Sequence, residues 1–365
     1  MITVRDITHF LESKAPLSLQ ESYDNAGLIT GSYHTQVTGI LCALDSIETI
    51  IDEAIRKNCN LVVAHHPIVF SGLKKFSGDS YVERTIVKAL KNDIAIYATH
   101  TNLDNVQIGV NAMICNKLGL TKTQILAKGK AKLLKLVTFV PSTHTEKVLN
   151  ALGNAGAGEI GHYNNCSFVL EGEGRFQPKG DANPFIGKVN KLEKVTESRI
   201  EVIFTETIRR NVMQALHQSH PYEEIAFDVY NLVNKDKESG AGMVGLLSDE
   251  MPAIDFLHML KEKMKLKVVR HTALTNKIIK KVAVCGGAGS FLLPHAIQAQ
   301  ADIFISADYK YHQFFDADGK IVIADIGHYE SEQFTTDLLA QWINEKFVDT
   351  KVYITEENTN PIYYL

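Results

Sequence analysis

Leu61-Val62-Val63-Ala64 runs directly into His65-His66-Pro67. Four consecutive apolar residues stopped by a proline read as a short parallel strand buried on both faces. Open α/β sheets place their reactive groups at the C-terminal ends of such strands. Two more segments repeat the arrangement. Ile94 to Ala98 leads into His100-Thr101-Asn102-Leu103-Asp104, and Ile321 to Ile326 leads into Gly327-His328-Tyr329-Glu330-Ser331-Glu332. Three strand ends therefore deliver histidine, two of them with a carboxylate, and imidazole with carboxylate is the donor set of zinc, iron and manganese. The bland alternative is scattered surface or core histidines, since the chain has 14. Clustering at three strand ends favours a metal site.

The spacing sets conditions on that reading. Adjacent residues of a regular strand point to opposite faces, so His65 and His66 converge only if the strand has ended. Pro67 cannot extend a ladder and favours such an exit. His328 and Glu332 are four apart and share one face if a helix starts near residue 328. His100 and Asp104 have the same separation in a segment read as a loop.

Working outward, the first third alternates helix and strand. Helices are expected over Val4 to Ala15, Ser46 to Lys57, Ser80 to Lys91 and Val106 to Lys117, with strands ending at Asp45, Ala64 and Ala98. From Leu134 the order changes to βαββαβ, a ferredoxin-like arrangement, with strands near Leu134 to Val140, Cys166 to Glu171, Ile200 to Phe204 and Ile225 to Leu232. Polar, Gly- and Lys-rich stretches flank it, Ala127-Lys-Gly-Lys130 before and Asn234 to Gly240 after. The α/β rhythm then resumes through Ile278 to Cys285, Ala301 to Ser306, Lys320 to Ile326 and a last helix over Glu332 to Lys346. The expected architecture is a discontinuous three-layer α/β/α core with mostly parallel sheets, residues 1–127 and 239–365, interrupted by a ferredoxin-like domain at 128–238.

A hydrophobic content of 45% and a charged content of 22% fit a globular chain with an ample core. The net charge of −4 gives no general pull toward nucleic acid or anionic membrane. The lysines at 261, 263, 265 and 267 read as a solvated helix end rather than a binding patch. Five cysteines without a CxxC pair, three of them (Cys42, Cys115, Cys285) in apolar runs, argue for a reducing compartment and against a zinc ribbon. No segment reads as a signal peptide or a bilayer span, so a cytoplasmic protein without membrane contact is expected.

Several motifs together resemble the GTP cyclohydrolase 1 type 2 homologue family, also called NGG-interacting-factor-three-like. They are Glu21-Ser-Tyr-Asp-Asn-Ala-Gly27, His65-His-Pro-Ile-Val-Phe-Ser-Gly-Leu-Lys74, His100-Thr-Asn-Leu-Asp-Asn105, Ser306-Ala-Asp-Tyr-Lys-Tyr-His312 and Gly327-His-Tyr-Glu-Ser-Glu332. The inserted stretch, with His220-Pro-Tyr-Glu-Glu224, resembles the PII/CutA-like module of longer bacterial members. The resemblance implies a dinuclear site for two divalent cations, zinc first and iron or manganese as alternatives. His66 and Asp104 would hold one ion, His65 and His328 the other, and Glu332 would bridge them. It further implies a ring-like homohexamer. The chain departs from the family pattern at Tyr23, where the family has Trp, and at Ser306-Ala307, where it has Thr-Gly; neither is a ligand.

Around the ions, His100 is a candidate proton shuttle, or an orienter of Asp104, or merely a hydrogen-bonded neighbour. His312 is a second candidate proton donor. Asp24 and Asn25 read as ligand orienters, substrate contacts or an Asx turn. Tyr23 offers an aromatic wall. Asp308, Lys310 and His312 follow the Ile303 strand and are expected to face the same crevice, with Lys310 suited to an anion. Gly286-Gly-Ala-Gly-Ser290 reads as a tight turn, with an anion cradle as the sharper alternative. The first functional reading is a metal-dependent hydrolase of a nucleotide-like substrate. The second is a non-catalytic metal-binding regulator or scaffold contacting nucleic acid.

Overall fold

The computed structural model describes residues 2–274 and 277–365. The chain divides into two compact units, Gly129–Asp236 and a larger one formed by the residues up to Lys128 together with Lys237–Leu365.

In the larger unit one sheet has five strands in the order Gly27–Thr30, Ala95–Ala98, Leu61–Ala64, Ile40–Ala43, Val352–Ile354. Every pairing is parallel except that of Gly27–Thr30 with Ala95–Ala98. The three central strands are buried at all positions, as strands covered on both faces must be. Leu41, Ala43, Val62, Ala64 and Ile96 pack against Ile50, Ile51, Ala54, Ile86 and Ala89 of the Glu48–Arg56 and Tyr81–Lys91 helices. Each of the leucine, valine and isoleucine side chains among them contributes ~1.5–3 kcal/mol when fully buried. Tyr97 points to the opposite face, where its hydroxyl lies 3.3 Å from Glu12 on the Val4–Lys14 helix. The Tyr81–Lys91 and Val4–Lys14 helices start at side-chain caps: Ser80 accepts from the Glu83 N–H, and Thr3 and Asp6 form a reciprocal capping box.

The second sheet of this unit has six strands: Arg270–His271, Val322–Asp325, Ile303–Ala307, Ile278–Ala288, Gly240–Pro252 and Thr121–Lys128. Only its two central pairings are parallel; the other three are antiparallel. Mostly parallel pairing therefore holds for the first sheet and is corrected to a mixed sheet for the second. The cause is the route of the chain. Thr121–Lys128 and Gly240–Pro252 flank the smaller unit in sequence and pair side by side, Ala127 opposite Ala241. Adjacent ends let over a hundred residues intervene without disturbing the sheet.

The smaller unit is a four-stranded antiparallel sheet in the order Ser167–Phe176, Glu193–Thr205, Lys132–Pro141, Phe227–Lys235. The Thr145–Asn154 and Arg209–Ser219 helices cover one face, burying Val148, Leu152, Val212 and Leu216 against Leu134, Leu136, Ile200 and Val202. Among the described residues no helix is long and apolar enough to cross a membrane.

Register explains where chemistry can collect. Ala43, Ala64 and Ala98 are aligned across three parallel strands, so the residues that follow each leave the sheet along one edge. In the second sheet Ser306 and Asp325 are aligned likewise, and the chain then turns through Gly327, at φ 92°, into the His328–Glu332 helix.

Candidate metal centre

The strand ends at Ala64, and the His65 and His66 rings then converge, with centroids 4.9 Å apart. Their backbone N–H groups donate to Ala43 and Leu44 carbonyls, which fixes the exit from the sheet. Glu332 reaches them from the short His328–Glu332 helix that follows the second sheet. Its Oε2 lies 2.9 Å from His66 Nε2 and 3.3 Å from His328 Nε2, and its Oε1 lies 3.7 Å from His65 Nε2. Asp104, at the end of the one-turn Thr101–Asp104 helix, places Oδ1 3.7 Å from His65 Nε2. All five expected ligands are thus brought together, and donor atoms of His65, His66 and Glu332 lie within 4.8 Å of one another. The distances group them differently from the expected pairs: His65 with Asp104 beside Oε1, and His66 with His328 beside Oε2.

Each imidazole is oriented from behind. His65 Nδ1 lies 2.7 Å from the Thr99 carbonyl, His66 Nδ1 2.8 Å from Asp45, His100 Nδ1 2.7 Å from Asp24 and His328 Nδ1 2.6 Å from Asp308. With an oxygen acceptor at each, Nδ1 keeps a proton and Nε2 is the atom that turns inward, where it can give its lone pair to a cation, the arrangement of metal-binding histidines. His65 Nε2 and Asp104 Oδ1 are buried and make no hydrogen bond. Buried polar atoms without partners are costly. Two of them, a nitrogen lone pair and a carboxylate oxygen beside a second carboxylate, are chemistry that a divalent cation satisfies.

The protonation balance agrees. Burial, then the charge of Glu332, pushes Asp104 up to about 8. Glu332 is held well below the usual carboxylate range, because His65, His328 and His66 outweigh its burial. Burial opposes charge on His66 and His328, yet hydrogen bonds to Asp45 and Glu332 raise the first to about 9, and those to Asp308 and Glu332 raise the second to about 11. In the absence of a cation, protons on these groups balance the carboxylates.

Gly286 and Gly287 line the same space. A Cβ at Gly287, where φ is +61°, would lie 2.5 Å from Glu332 Oε1 and 3.3 Å from a His328 ring carbon. The anion-cradle reading of this Gly-rich stretch is corrected: residues 286–288 belong to the Ile278–Ala288 strand, and the Gly286 and Gly287 N–H groups already donate to Asn111 and Ser331. Glycine is needed there for close approach.

The remaining candidates divide. His100 lines the cavity of about 410 Å³ above the cluster, as does Tyr23, whose ring is exposed. Asp24 is corrected from substrate contact to orienter: it accepts from His100, from the Thr101 N–H and hydroxyl and from the Asn25 N–H. Burial would raise Asp24, but the His100 and Thr101 hydrogen bonds hold it at about 2. Asn25 donates to the Val69 carbonyl and shapes the loop. Asp308 likewise serves His328. Lys310 and His312 are not among the residues lining the cavity; both are exposed, and the His312 ring sits against Tyr311 and Phe315. Asp308 takes φ +58° and Tyr309 turns inward, so the Tyr311–Ala317 3-10 helix leads away and only Asp308 of that triplet reaches the site. Lys261, Lys263, Lys265 and Lys267 are exposed at and beyond the end of the Ala253–Lys263 helix.

Sequence reasoning missed Asp45, Phe70 and Phe291. Asp45 also accepts from the Thr359 hydroxyl, while Asn360 donates to Glu330, so a segment near residue 360 braces the outer ring of the site. Phe70 packs edge-on to His100, and Phe291 stands on the cavity rim. Asp45 carried a signal, since it follows the Ile40–Ala43 strand two residues on, as His66 follows the parallel strand ending at Ala64.

Known proteins resemble this chain along almost its whole length. The chain is 38% identical over 366 residues to the GTP cyclohydrolase 1 type 2 homolog of Bacillus subtilis, covering 99% of this chain and 98% of that protein. It is 39% identical over 365 residues to the homolog of Halalkalibacterium halodurans, covering 98% of each. The crystal structure of a Bacillus cereus protein related to NIF3 superposes with a TM-score of 0.87 at 36% identity, over 100% of this chain and 99% of that one. Residues 2–361 match one family along nearly the whole length, and the chain belongs to that family, Duf34/NIF3 (NGG1p interacting factor 3).

Proposed function

We propose that the chain binds two divalent cations between Glu332 and the donors His65, His66, Asp104 and His328, and acts as a metal-dependent hydrolase on a nucleotide-like substrate. The observation that carries this reading is the pair of orphaned buried atoms, His65 Nε2 and Asp104 Oδ1, inside a ring of imidazoles locked through Nδ1. Each oxygen of Glu332 faces a different set of donors, which suits a bridging carboxylate. Zinc is the first candidate, with iron and manganese as alternatives for the same donors. Bound cations would supply Lewis acidity, polarising the bond under attack and acidifying water.

The chain's own residues supply the rest. Five protein ligands over two ions leave positions open, unlike a closed structural site. His100, held through Nδ1 by Asp24, is placed to move a proton at Nε2. The proton role considered for His312 falls to His100, because His312 is exposed away from the cavity. Tyr23, Phe70, Tyr81 and Phe291 surround the opening with rings against which a purine would stack.

GTP is the first substrate to test, given the name its relatives carry, GTP cyclohydrolase 1 type 2 homolog. Protein loaded with zinc, manganese or iron, its metal content measured, is incubated with GTP and other nucleotides and the products separated by chromatography. Turnover that disappears in His66→Ala supports the reading. Fully loaded protein that converts no nucleotide refutes it and leaves the non-catalytic regulator.

For the Gly129–Asp236 unit we read a ferredoxin-like, PII/CutA-like insert, with boundaries at 128–238. The element order β-α-β-β-α-β and the antiparallel sheet support this. A homohexamer is the proposed assembly, tested by light scattering.

A further inference from the structure

The smaller unit holds a cavity of its own, about 620 Å³ in volume. Small-molecule sites span ~300–1,000 Å³. Its walls are aromatic. The Phe176 and Tyr222 rings lie 5.8 Å apart and the Phe185 and Tyr222 rings 6.4 Å apart, with Phe139 and Leu170 completing the lining. Among these rings sits a carboxylate. Glu197 is only 8% exposed and its Oε1 accepts a 2.7 Å hydrogen bond from the Tyr222 hydroxyl. One donor leaves much of a carboxylate's acceptor capacity unused.

The surroundings are built around that carboxylate. Glu197 pairs in register with Gly172, and a Cβ on Gly174 would lie 1.9 Å from Glu197 Oε2. Glycine inside a strand weakens it and marks a place where another group must approach closely. Gly174 lets the Glu197 side chain lie across the strand. Tyr222 is held in turn by His220, the first residue of His220-Pro-Tyr-Glu-Glu224. His220 Nε2 lies 3.0 Å from the Phe139 carbonyl, and its Nδ1 accepts from the Tyr222 N–H at 3.1 Å. That tautomer is neutral, and burial lowers the His220 pKa accordingly.

Charge selects the ligand. The cavity is lined by Glu171, Glu173, Glu197, Glu223 and Glu224 against Arg175 and Arg199. Both guanidinium groups are already paired, Arg175 with Glu173 at 2.7 Å and Arg199 with Glu201 at 3.0 Å. Aromatic faces are negative and attract cations, and a desolvated carboxylate does so more strongly. We propose that this cavity binds a small organic cation, a protonated amine with an apolar or aromatic body, its nitrogen against Glu197 and its body among Phe176, Phe185 and Tyr222. This inference is independent of the metal centre.

The test is calorimetric titration of the full chain with benzylamine, which is protonated at neutral pH, beside its neutral and anionic counterparts benzyl alcohol and benzoate. Benzylamine is expected to bind with one site, and benzyl alcohol and benzoate at least about tenfold more weakly. Glu197→Gln is expected to weaken benzylamine about ten- to a hundredfold, the worth of a hydrogen bond to a charged group. Phe185→Ala removes a wall without touching the carboxylate, so the proposal stays testable if the first variant fails to fold; it too should weaken binding. The proposal is overturned if benzyl alcohol or benzoate binds as well as benzylamine. Benzylamine affinity unchanged in the folded variants also overturns it, as does absence of binding by benzylamine, tetramethylammonium and spermidine alike.

Discussion

Loading the metal-free protein with a cation should eject protons, and the site fixes roughly how many. His66, His328 and Asp104 are shifted up to about 9, 11 and 8, so at pH 7 each carries a proton that a metal must displace. For the two histidines this is the proton on Nε2, because Nδ1 keeps its own against Asp45 and Asp308. Independent titration would release about three protons; all three groups interact with Glu332, and such coupling lowers the number to about two or three. Each proton released makes apparent affinity rise about tenfold per pH unit, so affinity should climb about a hundred- to a thousandfold from pH 6 to pH 7. Calorimetry at one pH in phosphate and in Tris, whose ionisation enthalpies differ widely, reads the count directly. Manganese is the better probe, being less acidifying toward its bound water than zinc. Release of fewer than one proton would refute the reasoning, because the ligands would then be metal-ready without exchange.

Other consequences are equally measurable. Asp45→Ala leaves every ligand in place but frees the His66 ring, and should weaken metal binding about ten- to a hundredfold in competition with a chromophoric chelator. Gly287→Ala forces a Cβ into Glu332 at a left-handed backbone position; it should lose metal and at least about 1 kcal/mol of stability in urea titrations. The metal-free protein should lose stability as pH rises. Asp104 and the two histidines have folded pKa values above their ordinary 3.8 and 6.5, so their contributions are complete below those ordinary values and are lost as pH climbs through about 8 for Asp104, 9 for His66 and 11 for His328. A metal-free melting temperature that instead increases from pH 6.5 to 9 would contradict this. Saturating metal, at about a hundred times its dissociation constant, should add ~2.7 kcal/mol for each ion bound, and chelation should remove it.

The parts of the site that sequence reading located are those where local pattern and function coincide. Leu61 to Ala64 is apolar and proline-terminated, so both the strand and its exit at His65 were visible. His328 and Glu332 were likewise visible through helical spacing. What stayed hidden depends on neighbours remote in the chain. Gly240–Pro252 starts where the Asn234 to Gly240 junction ends and carries Gly240, Gly242 and Gly245, so its sequence gives no strand signal, yet sheet pairing on both sides holds it as a strand. Thr121–Lys128 is half polar because it lies at the sheet edge. His312 was misplaced because counting on from the Ile303 strand assumed continued extension, whereas Asp308 turns the chain. Aromatic rims such as Phe70 and Phe291 have no sequence signature, since an exposed phenylalanine is common on any surface.

The His66–Glu332 contact spans 266 positions of the chain. A cation gripping both would act as a reversible cross-link, closing a ring larger than most single domains and stabilising it much as a covalent tie would. A polypeptide released by a ribosome before residue 328 would hold imidazoles and Asp104 but no bridging carboxylate.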